Sequence, residues 1–212
     1  MKFSVIIPYY EAPIMLGAHM DHLRLQGVPD GVEYIFVDDG SRQFPINKPL
    51  PYARVVQIEQ DLAWNIAGAR NVGAFVAEGD WLLFADMDRI VPHEVFNFNP
   101  DPDCYYEFED CMWWGSMRGR TSPGTTLVYA NKFFEAGCND ENLVGKYGGT
   151  DREMRKRMAR IGVSKKIHPN HIVCFNHLEA LDGAVSPWMK DRTSGDKQTT
   201  TVGTLRFDWK EL

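Results

Sequence analysis

Within its first 85 residues the chain returns four times to one kind of short apolar run: FSVII at 3–7, VEYIFV at 32–37, RVVQI at 54–58 and WLLFA at 81–85. Each run is too short for an ordinary helix and rich in β-branched or aromatic side chains, so each predicts a strand. Two segments between them carry the other period. Residues 13–26 place Ile14, Leu16, Met20, Leu23 and Leu25 at roughly helical spacing before Gly27. Residues 65–78 form an alanine-rich helical stretch stopped by Gly79. Residues 44–52 read as proline-containing loop. The order is therefore strand, helix, strand, strand, helix, strand. Strands that are apolar almost throughout must be covered on both faces. This predicts an α/β fold, a Rossmann-like and mostly parallel sheet with helices on both sides. Such sheets bind ligands beyond the carboxyl ends of their strands. Polar residues gather at those ends: Tyr9, Tyr10 and Glu11 behind Pro8, then Asp38 and Asp39, then Asp86 and Asp88.

Beyond residue 90 the pattern loosens. Residues 97–103 read as loop, 105–114 as an aromatic and acidic segment and 125–129 as a strand. A basic helix is expected at 151–161, after Gly148-Gly149, and a short strand at 172–175 before Asn176-His177. From Trp188 the chain is a polar tail. A net charge of -6 over 212 residues gives no overall basic excess for generic nucleic-acid binding. The amino-terminal apolar run stops at Pro8, too short for a secretory signal, and no run of about 18 apolar residues predicts a membrane span. Cys104, Cys111, Cys138 and Cys174 show no CxxC spacing, which argues against a zinc or dithiol site. Reduced thiols and a cytoplasmic location are expected, the host cytoplasm if the chain is phage-encoded.

Asp86-Met87-Asp88 is the strongest local signal. Residues i and i+2 of an extended segment project to one side, and two converging carboxylates repel unless a cation lies between them. Mg²⁺ or Mn²⁺ with oxygen ligands meets that demand and can bridge to phosphates. The bland alternative is a solvated turn. Asp38 and Asp39 in VDDGS suit a base or ribose, or simply an Asp-Gly turn. Arg70 can meet a phosphate or sit on a packing helix. Gly149 and Thr150 precede Asp151 at a helix start, where the Asp is either an N-cap or a base with a free oxygen. His177 can add a third ligand for Mn²⁺, or be an ordinary histidine. Trp113 and Trp114 can stack on a sugar or base, or pack internally.

Taken together, SVIIPYYE, YIFVDDGS, NIAGARNVGAFVAEGDWLLFADMDRIVP and GGTDREMRKR, in this order, resemble the family 2 glycosyltransferases of the GT-A fold. The resemblance spans most of residues 3–161 and implies a sugar-nucleotide donor, with a UDP-sugar expected. Asp86-Met87-Asp88 matches the family's DXD-type motif, with Asp88 the direct metal ligand and Asp86 beside it. Pro8, Tyr10, Glu11, Asp38 and Asp39 would border base and ribose. Asp151 matches the base of the family's late Gly-Gly-Glu-Asp element, with Thr150 in place of its Glu. Inversion at the anomeric carbon is implied. The resemblance divides a single domain of 1–212 into a nucleotide-sugar-binding half (1–90), a smaller metal and acceptor part (91–187) and a tail (188–212). Candidate acceptors are a glycan, a lipid-linked sugar, a protein or a hydroxymethylated base in phage DNA. The DNA reading rests on Arg118, Arg120, Arg152, Arg155, Lys156, Arg157, Arg160, Lys165 and Lys166. A catalytically silent sugar- or partner-binding domain is the alternative from another class. A nucleotidyltransferase is disfavoured because PYYEAP stands where its glycine-rich basic loop belongs.

Overall fold

The four apolar runs become four adjacent parallel strands. In the computed structural model, which describes residues 1–175 and 208–212, these are β1 (Phe3–Tyr9), β2 (Val32–Asp39), β3 (Arg54–Ile58) and β4 (Trp81–Phe84). They lie in the order β3-β2-β1-β4. Helix α1 (Pro13–Gln26) links β1 to β2, and α2 (Ile66–Val76) links β3 to β4. Side chains alternate across the pleat. Phe3, Val5 and Ile7 join a core with Met15 and Leu23 of α1, while Ile6 joins Ala69 and Val72 of α2 on the opposite face. Helices thus cover both faces. Pro8 lies inside the central strand β1, where a missing N–H is normally excluded. It is tolerated because β4 pairs with β1 only as far as Ile6, leaving Pro8 paired to β2 alone.

The second half extends the sheet. Strand β5 is Arg89–Ile90, β6 is Cys104–Met112, β7 is Met117–Tyr129, β8 is Ser164–Ile167, β9 is Ile172–Cys174 and β10 is Trp209–Glu211. Helices α3 (Ala130–Glu135) and α4 (Thr150–Arg160) complete the described elements of regular helix. Strand β7 runs antiparallel on β4, β6 antiparallel on β7, and β8 and β9 parallel to β6. On the far edge, β10 runs antiparallel to β3. Five elements differ from the sequence reading. β7 begins at Met117 rather than 125, the aromatic-acidic segment is a full strand, and β5, β8 and β10 were not anticipated, β10 lying in what reads as a polar tail. Glu107 and Asp110 are the reason β6 escaped detection: both are buried, which breaks the apolar pattern of an interior strand. Their cations arrive from Arg155 and Lys165 and from Arg89, far away in sequence.

Among the described residues no helix is long and apolar enough to cross a membrane. All four cysteines are free thiols.

Candidate active site

Strand β4 delivers the Asp86-Met87-Asp88 loop to the carboxyl edge of the sheet. The loop is fixed at its backbone: Ala85 N donates to Ile6 O at 3.0 Å, and Arg89 N donates to Asp86 O at 3.0 Å. A third hold comes from α1, where His19 Nε2 lies 2.9 Å from Met87 O. His19 is buried, and burial pushes its pKa down to about 4, so it is neutral at pH 7 with Nε2 as the donor to that carbonyl. Sequence reasoning did not find His19, because its period reads as a core position of α1.

The two acids of the loop meet different arginines. Asp88 is buried and ion-paired to Arg89, which also reaches Asp110 at 3.2 Å. Burial raises the Asp88 carboxyl to about 6; Arg89 opposes this, and the neighbouring Asp86 charge adds to it. Asp86 is partly open and accepts from Arg70 Nη2 at 2.8 Å. Arg70 Nη1 donates to Asp151 Oδ1 at 2.7 Å, and Arg70 Nη2 also donates to Gly124 O at 2.8 Å. Its guanidinium is 4% exposed, so this arginine lies inside the site and joins two of its carboxylates rather than facing a surface phosphate. Gly73 permits that depth: a Cβ there would run into Ile6, so only glycine lets α2 come so close to the sheet. Gly124 of β7 acts similarly, since a Cβ would overlap the Asp86 carboxylate.

Asp151 does not cap its helix. The N-cap of α4 is Gly149, in left-handed conformation with φ 93°, and no side chain caps this end. Gly148 is also left-handed, and Thr150 is buried. The carboxylate of Asp151 turns to Arg70 instead, with about a third of its side chain exposed. Two bridged groups result, Asp86 and Asp151 on Arg70, and Asp88 and Asp110 on Arg89. Among the described residues no three His, Cys, Asp or Glu form a closed metal cage. Two carboxylates with the remaining positions left to phosphate and water is the donor set Mg²⁺-like ions take in phosphate-bridging sites. Asp86 and Asp88 offer two such carboxylates, which is compatible with that group. His177 lies outside the described residues.

The donor-side candidates shape a loop. Both carboxylate oxygens of Glu11 accept backbone N–H bonds from residues 42 to 44, between 2.5 and 2.9 Å. Asp38 is buried and accepts from Ser41 N at 3.0 Å and Ile46 N at 2.8 Å. Burial raises its pKa, and these bonds oppose the rise. Asp39 accepts from Asn65 Nδ2 at 2.8 Å, and Tyr10 donates its hydroxyl to Asp61 at 3.3 Å. Pro8 lies in β1, in register with Val37. Glu11 and Asp38 hold the 40–46 loop against the sheet edge. Beside it opens a cleft of about 290 Å³ bordered by Asp38, Gly40, Gln57 and Asp61.

On the acceptor side, Trp113 and Trp114 sit at the turn between β6 and β7, more than half exposed, with rings edge-to-face at 5.8 Å. An aromatic pair missed in the sequence lies before Asp151: Trp64 and Tyr147, 4.6 Å apart, on loops tied by Gly145 N to Ala63 O at 2.7 Å. Isolated aromatics in loops carry no period, so no pattern marks them. Six of the nine residues of the basic streak, Arg155, Lys156, Arg157, Arg160, Lys165 and Lys166, are ion-paired within the chain.

The family model for glycosyl transferase family 2 matches residues 4–97, which hold the loop of Asp86 and Asp88, Arg70 and the donor-side acids. That segment is 94 of the chain's 212 residues and is similar to family 2 glycosyltransferases. Over 115 residues it is 34% identical to an uncharacterized glycosyltransferase of Haemophilus influenzae, covering 51% of this chain and 39% of that protein. It is 31% identical over 111 residues to a poly(ribitol-phosphate) beta-glucosyltransferase of Bacillus spizizenii, covering 48% of this chain and 18% of that one. The chain thus spans well under half the length of either relative. Among solved structures, S. aureus TarS 1–349 in complex with UDP-GlcNAc superposes with a TM-score of 0.62 at 18% identity, over 82% of this chain and 58% of that one. GalNAc-T7 with UDP, GalNAc and Mn²⁺ gives 0.61 at 16% identity, over 82% and 44%. At these identities the likeness establishes the fold alone, the GT-A fold. Asp151 lies outside the matched segment 4–97, and Arg70 ties it to the matched part.

Proposed function

We propose that this chain moves a sugar from a nucleoside diphosphate donor to an acceptor hydroxyl, with inversion at the anomeric carbon and Asp151 as the base. The observation that carries this reading is the buried Arg70, which holds Asp86 and Asp151 at one sheet edge through bonds of 2.8 and 2.7 Å. Asp88 and Asp86 would hold Mn²⁺ or Mg²⁺ against the diphosphate. When bound, the cation supplies Lewis-acid stabilisation of the charge developing on the leaving diphosphate. Arg70 keeps Asp86 oriented and fixes one oxygen of Asp151. The partly open Asp151 carboxylate accepts the proton of the acceptor hydroxyl as that oxygen bonds to the anomeric carbon. The 40–46 loop, pinned by Glu11 and Asp38, forms the wall against which the nucleoside lies.

A UDP-sugar is the favoured donor, supported by the two GT-A neighbours solved with UDP or a UDP-sugar. A sugar or polyol hydroxyl is the favoured acceptor, in line with the name of the Bacillus spizizenii relative. Ion pairing of six of the nine basic residues within the chain lowers the support that a DNA acceptor draws from them. Titration calorimetry with UDP, GDP and their hexose derivatives, in Mn²⁺ and in EDTA, tests the proposal. Binding of at least one nucleotide in Mn²⁺ and its loss in EDTA is expected. Absence of binding in both would overturn the transferase reading in favour of a silent domain.

A further inference from the structure

The cleft beside the 40–46 loop has a wall that the family-matched segment does not supply. Strand β10 returns from the carboxyl end of the chain and pairs with β3, setting Trp209 opposite Ile58, Lys210 opposite Gln57 and Glu211 opposite Val56. The strand is anchored at several points. Glu59 N donates to Asp208 O at 2.9 Å and Leu212 N to Val55 O at 3.0 Å. Arg54 grips Glu211 with two bonds, at 2.7 and 3.1 Å. Trp209 packs edge-to-face on Phe75 of α2, with centroids 6.1 Å apart. Side chains alternate along a strand, so with Trp209 and Glu211 committed to one face, Lys210 must project to the other. That face is the cleft, which Lys210 lines together with Asp38, Gly40, Gln57, Glu59 and Asp61.

The other cation at the cleft is already taken: Arg42 is paired to Asp61 at 3.0 Å. Among the described residues Lys210 has no ion-pair partner, and Asp88 does not line this cleft. The cleft is of a size that holds a nucleoside.

We propose that Lys210 is a specificity-determining residue of the donor pocket, donating to the keto oxygen of a uracil or guanine base. This rests on the donor-site reading given above. An ammonium group donates only and accepts nothing. Uracil O4 and guanine O6 are acceptors, whereas cytosine and adenine carry an amino donor at the matching position. Lys210 therefore favours keto bases and opposes amino bases, and the carboxyl-terminal strand becomes part of donor selection.

Titration calorimetry of UDP, GDP, CDP and ADP in Mn²⁺ on the wild type, Lys210→Met and Lys210→Arg decides the matter. The wild type is expected to bind UDP or GDP more tightly than CDP and ADP. Lys210→Met should lose about 10–100-fold for the keto nucleotide, the worth of one charged hydrogen bond, with CDP and ADP bound no more weakly than by the wild type. Lys210→Arg should keep most of the preference. Thermal melting of each variant confirms an intact fold, as expected for an exposed lysine. If Lys210→Met keeps the wild-type preference, or weakens all four nucleotides alike as a phosphate contact would, the inference is wrong while the donor site stands. If the wild type binds none of the four, the donor-site reading falls and this one with it.

Discussion

Replacing Asp88 by asparagine is expected to stabilise the metal-free protein at neutral pH while removing its response to metal. The buried Asp88 carboxyl is raised from 3.8 to about 6 in the folded state. Each unit is worth about 1.4 kcal/mol, so ionising Asp88 at pH 7.5 costs the metal-free fold about 3 kcal/mol. That net value already includes the attraction of Arg89, which keeps Asp110 as a partner when Asp88 becomes neutral. The sign follows from a folded value above the unfolded one: the favourable contribution is complete below pH 4 and is lost as pH rises through 6. Asparagine has no such loss. For a chain of this size about 3 kcal/mol corresponds to roughly 6–12 °C in Tm. Urea unfolding in EDTA at pH 4.5 and 7.5 measures it. The variant should gain on the wild type as pH rises, and added Mn²⁺ with UDP should stabilise only the wild type. An apo variant less stable than the wild type at pH 7.5, or equally stabilised by Mn²⁺ with UDP, would refute the account of Asp88 as a strained carboxylate awaiting a cation.

Two further substitutions separate the roles in the cluster. Asp151→Asn should keep nucleotide affinity within a few-fold and reduce donor turnover by about 10²–10⁴, the usual worth of a positioned base; full turnover in a donor-hydrolysis or transfer assay would remove Asp151 from that role. Arg70→Met leaves Asp86 and Asp151 without their shared cation and should destabilise the fold by about 3–5 kcal/mol, read by urea unfolding. A change under 1 kcal/mol there would show that the bridge is not a structural hold.

The strand and helix order of the first 85 residues was legible because each element announces itself locally, by a short apolar run or a helical period. The carboxylates of the site were legible for the same reason: they interrupt apolar strands at the end where ligands bind. What those carboxylates touch was not. Arg70 read as a surface cation or a phosphate contact, yet its partners lie 16 and 81 positions away, and only the approach of α2 over Gly73 brings them together. Asp38 read as a base or ribose contact or as a turn residue; its two oxygens accept the amides of a loop whose course no local period predicts. Strand β6 was hidden by Glu107 and Asp110, polar in sequence and buried in the fold.

One physical rule connects these omissions. A buried charge is tolerated when its counter-charge is supplied, and the counter-charge is nearly always distant in sequence. Glu107 is matched by Arg155 and Lys165 within the chain, so that cluster needs nothing more. Asp86 and Asp151 are matched by Arg70, and Asp88 and Asp110 by Arg89. The two groups differ from Glu107 in access: the Glu107 carboxylate is closed in by its own cations, whereas Asp86 and Asp151 remain partly open at the carboxyl edge of the sheet. These are the acids of the fold's interior that an incoming ligand can reach.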